Sequence, residues 1–489
     1  MRGSLVAAAL VLGSGHAHAQ IAPPSGGVSP ATAATQPAIV TLQAPPQSSS
    51  ELRLEEVIAA VDTRYPLLLA ESQGLAAARG ERRSAVGAFD PKWKTKASAF
   101  PVGYYRYVTA ESTVEQPLYW RGLSVFGGYR IGQGKFPIYY DNYRTNDRGE
   151  VRVGFTAPLF RGGSIDKERA SLWKAEAGID VAAQELVAAR LEFRRIAAEK
   201  YWDWVAAGKK LENARSLYQR AVERNVGVTA RIGSGDAPAI DQVDNSRSIL
   251  QREQQVVGAE RVLTTARLAL SLYLRDDKGN PVIPSEERLP REFPEPIALA
   301  AGTVESDVSR ALSQRPEVRL YESKRRQYEI ERDLATNDKL PTVDVLVAGA
   351  KQFGDGYPEK HPATLEAGLL VDIPLRNRKA DGRARTADAL FMQYDLQLRY
   401  AKDKIQNEVR DAAAGSDAAA RRLALARQEL VLARTLEAAE RQRFAMGDST
   451  ILVVNLREQA SFDASNREIE TLVDHHKSLA QYRAVVGQP

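Results

Sequence analysis

The stretch ARIGSGDAPAIDQVDNS, Ala230 to Ser246, decides the fold of this chain. It is a glycine-rich reversal inside a region that otherwise carries helical periodicity. The stretch QRFAMGDSTILVVNLRE, Gln442 to Glu458, repeats it. Arg443, Gly447 and Asp448 each follow Arg231, Gly235 and Asp236 by 212 residues. Two reversals half a chain apart predict two helical hairpins, and other landmarks recur with them. Pro66 and Pro316 lie 250 residues apart, as do Pro91 and Pro341. Pro158-Leu159 and Pro374-Leu375 lie 216 apart. The spacing falls between the second and third landmarks, so the chain reads as a tandem duplication whose first half holds an insertion.

Each half predicts the order helix, strands, long helix, tip, helix. Ile165, Leu172, Ile179, Leu186 and Phe193 recur every seven residues, and Trp204, Leu211 and Tyr218 resume the row after a step of eleven. Phe391, Leu398, Ile405, Ala412 and Ala419 form the matching row, resumed at Leu430, and Ile249, Val256, Leu263 and Leu270 continue beyond the first tip. Sevens favour left-handed supercoiling and elevens relax it, which suits helices lining a wide cylinder. A helix over 164–229 measures about 100 Å at about 1.5 Å per residue. Helices over 53–88 and 239–274 are each about half as long, so two stacked end to end match it. In the second half 379–445 is matched by 316–339 with 450–485.

The strands fall at the end away from the tips. Val151, Val153, Phe155 and Ala157 alternate with Glu150, Arg152, Gly154 and Thr156. Val343, Val345 and Val347 oppose Asp344; Ala367, Leu369, Val371 and Ile373 oppose Glu366, Gly368, Leu370 and Asp372. Such alternation suits a membrane barrel strand or a half-buried soluble sheet. From Trp93 to Tyr143 there are thirteen aromatics. Trp93, Tyr119, Trp120 and Phe155 are the candidates for the membrane interface, where an aromatic ring with a polar handle is favoured. A sheet in lipid must close on itself. Four principal strands are too few for a barrel of about eight or more, so the barrel is expected to be shared between chains.

Composition narrows the function. Net charge is +5 with acids and bases interleaved, so no nucleic-acid stripe stands out. There is no cysteine, which excludes disulfides and thiol chemistry. His361, His475 and His476 are the only histidines beyond the N-terminal segment, few for a transition-metal centre. Residues 1–19 read as a signal peptide, with Arg2, the apolar run Leu5–Leu12 and the small-residue site Ala17–Ala19. Residues 20–50 read as a flexible leader rich in Pro and Ser. The first repeat is expected over 51–300, with its insertion at 101–149, and the second over 301–489.

The duplicated plan, the PLF-RGG run (Pro158–Gly163) at a strand-to-helix junction and the paired tips resemble the TolC-like outer-membrane efflux protein family over roughly 51–486. The resemblance implies an α+β fold: a long α-helical coiled-coil barrel with a transmembrane β-barrel shared between subunits of a homotrimer. Twelve strands, a twelve-helix periplasmic tunnel, an adaptor protein and an inner-membrane transporter follow by the same resemblance. The chain would then be a passive efflux or secretion channel of the cell outer membrane, in contact with its lipid. No cofactor, no nucleic acid and no enzymatic activity are implied. The rival class is a periplasmic coiled-coil structural or adaptor protein without a pore. Two features depart from the family: the long 101–149 segment, which adds either a hairpin or an extracellular loop and so leaves the four-strand count open, and the absence of the lipidated cysteine that some relatives carry.

In the family an acidic ring on the second hairpin constricts the tunnel. Counted from the shared glycine, Asp241 and Asp244 on the first hairpin correspond to Val453 and Leu456 on the second. The acids are therefore the first pore-gate candidates, the alternative being a solvated pair or a bridge to Arg231, and Val453 with Leu456 are the apolar complement. Arg231, Gly233, Gly235, Asp236, Arg443, Gly447 and Asp448 are the candidate adaptor-contact tips. Asp236 and Ser449 are expected to cap the helices that follow. No catalytic constellation is present. Asp474–His476 reads as a solvated charged face rather than a metal pair, and Arg161–Asp166 as a capped turn at Ser164 or Asp166 rather than an anion cradle.

Overall fold

The computed structural model describes residues 51–295 and 302–488. The expected signal peptide, the leader and the boundary between the two repeats lie outside the described residues. The first half runs α1 (Leu54–Arg64), α2 (Pro66–Val86), β1 (Lys92–Phe100), β2 (Tyr107–Pro117), β3 (Ser124–Gly134), β4 (Glu150–Pro158), α3 (Lys167–Gly233) and α4 (Ile240–Ser271). The second runs α5 (Val304–Gln314), α6 (Pro316–Asn337), β5 (Thr342–Gln352), β6 (Thr364–Asp372), α7 (Arg378–Met446) and α8 (Ile451–Val486).

The helix expected over 53–88 is two helices, and the second half breaks in the same way. Tyr65 and Arg315 are extended, with ψ of 119° and 130°, and Pro66 and Pro316 start the next helix. Proline has no N–H for the helix ladder and forces its predecessor out of the α region. The long helices keep the heptad rows inside. Trp204 is 0 % exposed, and Leu172, Leu211, Leu398, Ile405 and Leu430 are buried. α3 and α7 contain 67 and 69 residues, each about 100 Å long. α3 packs on α2 and α6 near the sheet and on α4 and α8 toward its far end.

At the junction of β4 and α3, Asp166 caps the helix by accepting the Arg169 N–H at 2.7 Å. The buried Arg169 side chain fills the glycine turn, donating to the carbonyls of Gly162, Gly163 and Ser164. The turn thus directs carbonyls at a cation of the chain itself, and its glycine N–H groups are taken, Gly162 by Asn337 Oδ1 at 2.8 Å and Gly163 by the Phe160 carbonyl at 3.2 Å.

The histidines of Asp474–His476 do not sit on a solvated face. Asp474 is exposed, but both rings are buried on the inner side of α8. The period that buries Leu472, Leu479 and Tyr482 turns them inward too. His476 stacks on Trp202 at 3.9 Å between ring centres and lies 2.9 Å from the Pro294 carbonyl. Burial pushes His476 down to about 4, against the pull of that carbonyl, and burial with the nearby Arg427 charge also lowers His475. The unfolded chain therefore protonates His476 near pH 6.5, whereas the folded chain refuses that proton until about pH 4. Stability present above pH 6.5 is expected to fall by on the order of 1–3 kcal/mol toward pH 4. Thermal melts of wild type and His476→Phe across that window check this: the variant should lose much of the slope.

The strands form one antiparallel sheet in the order β1-β2-β3-β4-β5-β6. Six strands replace the four principal strands of the sequence reading. The difference is the 101–149 insertion, which folds as the complete strands β2 and β3 and the β3–β4 loop. Trp120–Leu123 turns the β2–β3 hairpin with φ of 52° at Arg121 and 69° at Gly122, as a type I′ turn requires. A Cβ at Gly122 would sit 2.8 Å from the Gly162 carbonyl, so this turn needs glycine for space as well.

The register sorts the side chains into two faces. One carries Lys92, Lys94, Lys96, Glu111, Glu115, Arg130, Glu150, Arg152, Asp344, Glu366 and Asp372. The other carries Trp93, Val108, Val114, Val125, Ile131, Val151, Val153, Phe155, Val345, Val347, Leu365 and Leu369. Its single charge is Lys351, one residue from the end of β5. Among the described residues no helix is long and apolar enough to cross a membrane.

Candidate functional site

Both hairpin tips are sharp and exposed, and the geometry explains their glycines. α3 ends at Gly233, and Gly235 takes φ of 78° so that the Asp236 N–H reaches the Arg231 carbonyl at 2.8 Å. At the second tip Gly447 takes φ of 86°, and the Asp448 N–H reaches the Arg443 carbonyl at 2.9 Å. The two tips touch: the Arg231 guanidinium lies over the Phe444 ring, 5.1 Å from its centre. Neither expected cap forms. Asp236 accepts from Ser234, and Ser449 turns back to Glu440 across its own reversal. The helices begin instead at Ile240 and Ile451 with no side-chain cap.

Asp241 and Asp244 are half-buried on the first turns of α4. Neither carboxylate has a hydrogen bond or ion pair among the described residues, and Arg231, the expected partner, is turned toward Phe444. Val453 is half-buried and Leu456 exposed on α8. Below the tips lies an ion network that the sequence reading did not single out. Glu458, 2 % exposed, meets Arg252 at 2.8 Å, Arg224 at 2.9 Å and Arg441 at 3.0 Å. Arg220 reaches Glu437 at 2.8 Å, and Asn455 accepts from Arg224 at 2.6 Å. The network ties α3 and α4 to α7 and α8. Its signal was present: Glu458 interrupts the buried row Ile451, Val454, Ser461, and Arg252 sits three residues after Ile249 and four before Val256.

Of the interface aromatics, Trp93 is 78 % exposed at the helix-proximal end of β1, and Trp120 protrudes from the β2–β3 turn at the same end. Tyr119 beside it accepts a hydrogen bond from Trp173 of α3. Phe155 lies on the apolar face of β4, between Val125 and Val347. Among the described residues no group of three or more His, Cys, Asp or Glu side chains gathers to hold a metal.

No family model matches the chain, and no curated protein sequence matches it. Solved structures do. The open state of the MtrE outer-membrane channel of Neisseria gonorrhoeae superposes with a TM-score of 0.64 at 14% identity, covering 91% of this chain and 94% of that one. The outer-membrane protein VceC of Vibrio cholerae gives 0.62 at 16% identity, covering 89% and 96%. The CmeC outer-membrane channel of Campylobacter jejuni gives 0.62 at 13%, covering 95% and 94%. By this likeness the chain has the fold of the TolC-like outer-membrane channels.

Proposed function

We propose that the chain is the outer-membrane duct of an efflux or secretion system. It would perform no chemistry of its own and would pass cargo driven by an inner-membrane pump through a periplasmic adaptor. One observation carries this: all strand charges but Lys351 share one face of the sheet, the opposite face is mostly apolar, and neither sheet edge has a partner strand among the described residues. Such a sheet suits a wall with lipid outside and water inside. A pore-free periplasmic protein has no use for an exposed apolar face of that extent.

The outer edges of β1 and β6 have no partner among the described residues, and the two strands are nine residues each. In lipid their free N–H and C=O groups must pair, and β6 of one copy matches β1 of the next. Helices add a second seam. Val243, Leu250 and Val257 on α4 and Leu425, Leu432 and Met446 on α7 are exposed at steps of seven or fourteen. Apolar rows of this kind call for a neighbouring coil. Three copies, the number the resemblance implies, close a barrel of three times six strands, eighteen in all. Its diameter is about half again that of a twelve-strand barrel.

In the closed trimer the unpartnered Asp241 and Asp244 place six carboxylates at the tunnel tip, favouring cations. Val453 and Leu456 form the apolar part of the same narrowing, and the Arg231–Asp236 and Arg443–Asp448 tips face the adaptor. Single-channel recording of the purified oligomer in planar bilayers tests the duct. Wild type should show cation-selective openings, and Asp241→Ala/Asp244→Ala should enlarge them or erase the selectivity. A conducting oligomer indifferent to the double substitution removes the acidic gate. A folded protein that stays in solution without detergent and never conducts removes the duct.

A further inference from the structure

The β3–β4 connection, residues 135–149, does not stand out from the sheet edge as a surface loop would. It folds back over the charged face of β1–β3. The Thr145 N–H donates to the Gly132 carbonyl at 2.9 Å, and the Gly132 N–H to Thr145 Oγ1 at 3.1 Å. A Cβ on Gly132 would fall 1.9 Å from the Tyr143 carbonyl, so the strand is bare where the loop crosses it. Phe136 packs on Tyr107 at 4.5 Å, and the Arg130 guanidinium lies over Tyr143. Gly132, Tyr107 and Arg130 all belong to the charged face.

The loop is tied down as well as folded in. Lys360 donates to the carbonyls of Asp141 and Arg144 at 3.1 and 2.9 Å, and Arg144 donates to the Tyr357 hydroxyl at 3.0 Å. The Tyr357 N–H reaches Asn146 Oδ1 at 2.8 Å. The 353–363 connection therefore clamps the loop from the β5–β6 side. Between loop and strands a cleft of about 600 Å³ is walled by Phe100, Tyr104, Tyr105, Tyr139, Tyr140 and Tyr143, among others. Tyr139 is 75 % exposed. A ring so exposed on the charged side of the sheet faces water, not lipid.

We propose that residues 135–149 form a tyrosine-lined constriction inside the outer mouth of the barrel, a second narrowing some distance from the periplasmic tips. It rests on the duct reading, which makes the charged face the lumen. Three inward loops, one per copy, offset the bore that the extra hairpin adds. Cargo would pass flat aromatic faces before leaving the duct, and the loop clamp holds those faces in place.

The chain has no cysteine, so Tyr139→Cys supplies a single reactive thiol. A cationic methanethiosulfonate reagent added from the outer side of a planar bilayer should reduce the current of Tyr139→Cys and leave wild type unchanged. Replacing residues 137–144 by a short Gly-Ser linker should raise the unitary conductance. Labelling and loop replacement that both leave the current unchanged overturn the constriction while the duct stands. A silent wild type counts against the duct itself, and the loop is then judged on the detergent-solubilised oligomer. There a small maleimide should label Tyr139→Cys far faster than a polymer-sized one, whereas equal rates place the ring outside the lumen and overturn the proposal.

Discussion

Replacing Glu458 by alanine is expected to cost the helical hairpins about 3–5 kcal/mol, since it strands buried charges. Arg252 is buried beside it, and Arg224 and Arg441 share the same carboxylate. Burial alone would raise Glu458, but the Arg224 and Arg252 charges outweigh it and hold the carboxyl below its ordinary range. Its stabilisation is therefore complete above the unfolded value near pH 4.3 and is lost only as pH falls through the lower folded value. Hydrogen exchange along α3, α4, α7 and α8 reads the effect where it acts. Faster exchange near the tips in Glu458→Ala, with the sheet unaffected, is the expected result. Glu458→Met paired with Arg252→Met should recover part of the loss, because an apolar pair carries no desolvation penalty. Equal exchange rates near the tips in wild type and Glu458→Ala would mean the network contributes nothing.

The second large effect separates the faces of the sheet. Val153 and Gly368 lie near the middle of β4 and β6, on the apolar and charged faces respectively. On the duct reading, Val153→Arg would place a guanidinium against lipid at a cost of about 2–4 kcal/mol near the bilayer midplane. Gly368→Arg places it in water beside Leu346, where a Cβ meets nothing closer than 3.6 Å. Urea titrations of folding into lipid vesicles should show a lowered midpoint for Val153→Arg and a nearly wild-type one for Gly368→Arg. Equal losses from both would mean that the two faces see the same solvent.

Much of this was legible in the sequence because period is a strong signal over long elements. The rows through Leu172, Trp204 and Leu211 and through Leu398 and Ile405 gave both long helices within a few residues of their ends. The hairpin β2–β3 was not resolved into strands. Ser, Thr and Gly at positions such as Ser112, Thr113, Gly127 and Gly128 dilute its alternation, and only the register shows that Val114 and Tyr129 share the apolar face. The break at Pro66 is hidden in the sequence because a hydrophobic period carries across a single extended residue; in the second half the helix starts at Pro316 as expected, and the short helix α5 before it is the element the reading lacks. At the tips, Gly235 and Gly447 were legible from the backbone they require. The link from Arg231 to Phe444 was not, since it joins residues 213 apart. The unpartnered state of Asp241 and Asp244 also depends on where other side chains turn.

The most direct measurement is the strand count of the assembled barrel, by electron cryo-microscopy of the oligomer in lipid nanodiscs. The account predicts a threefold ring of eighteen strands, β6 of each copy bonded to β1 of the next, with the 135–149 loops turned inward. A barrel of twelve strands with the β2–β3 hairpin lying outside the wall, or an unpaired sheet on a monomer outside the bilayer, would contradict it.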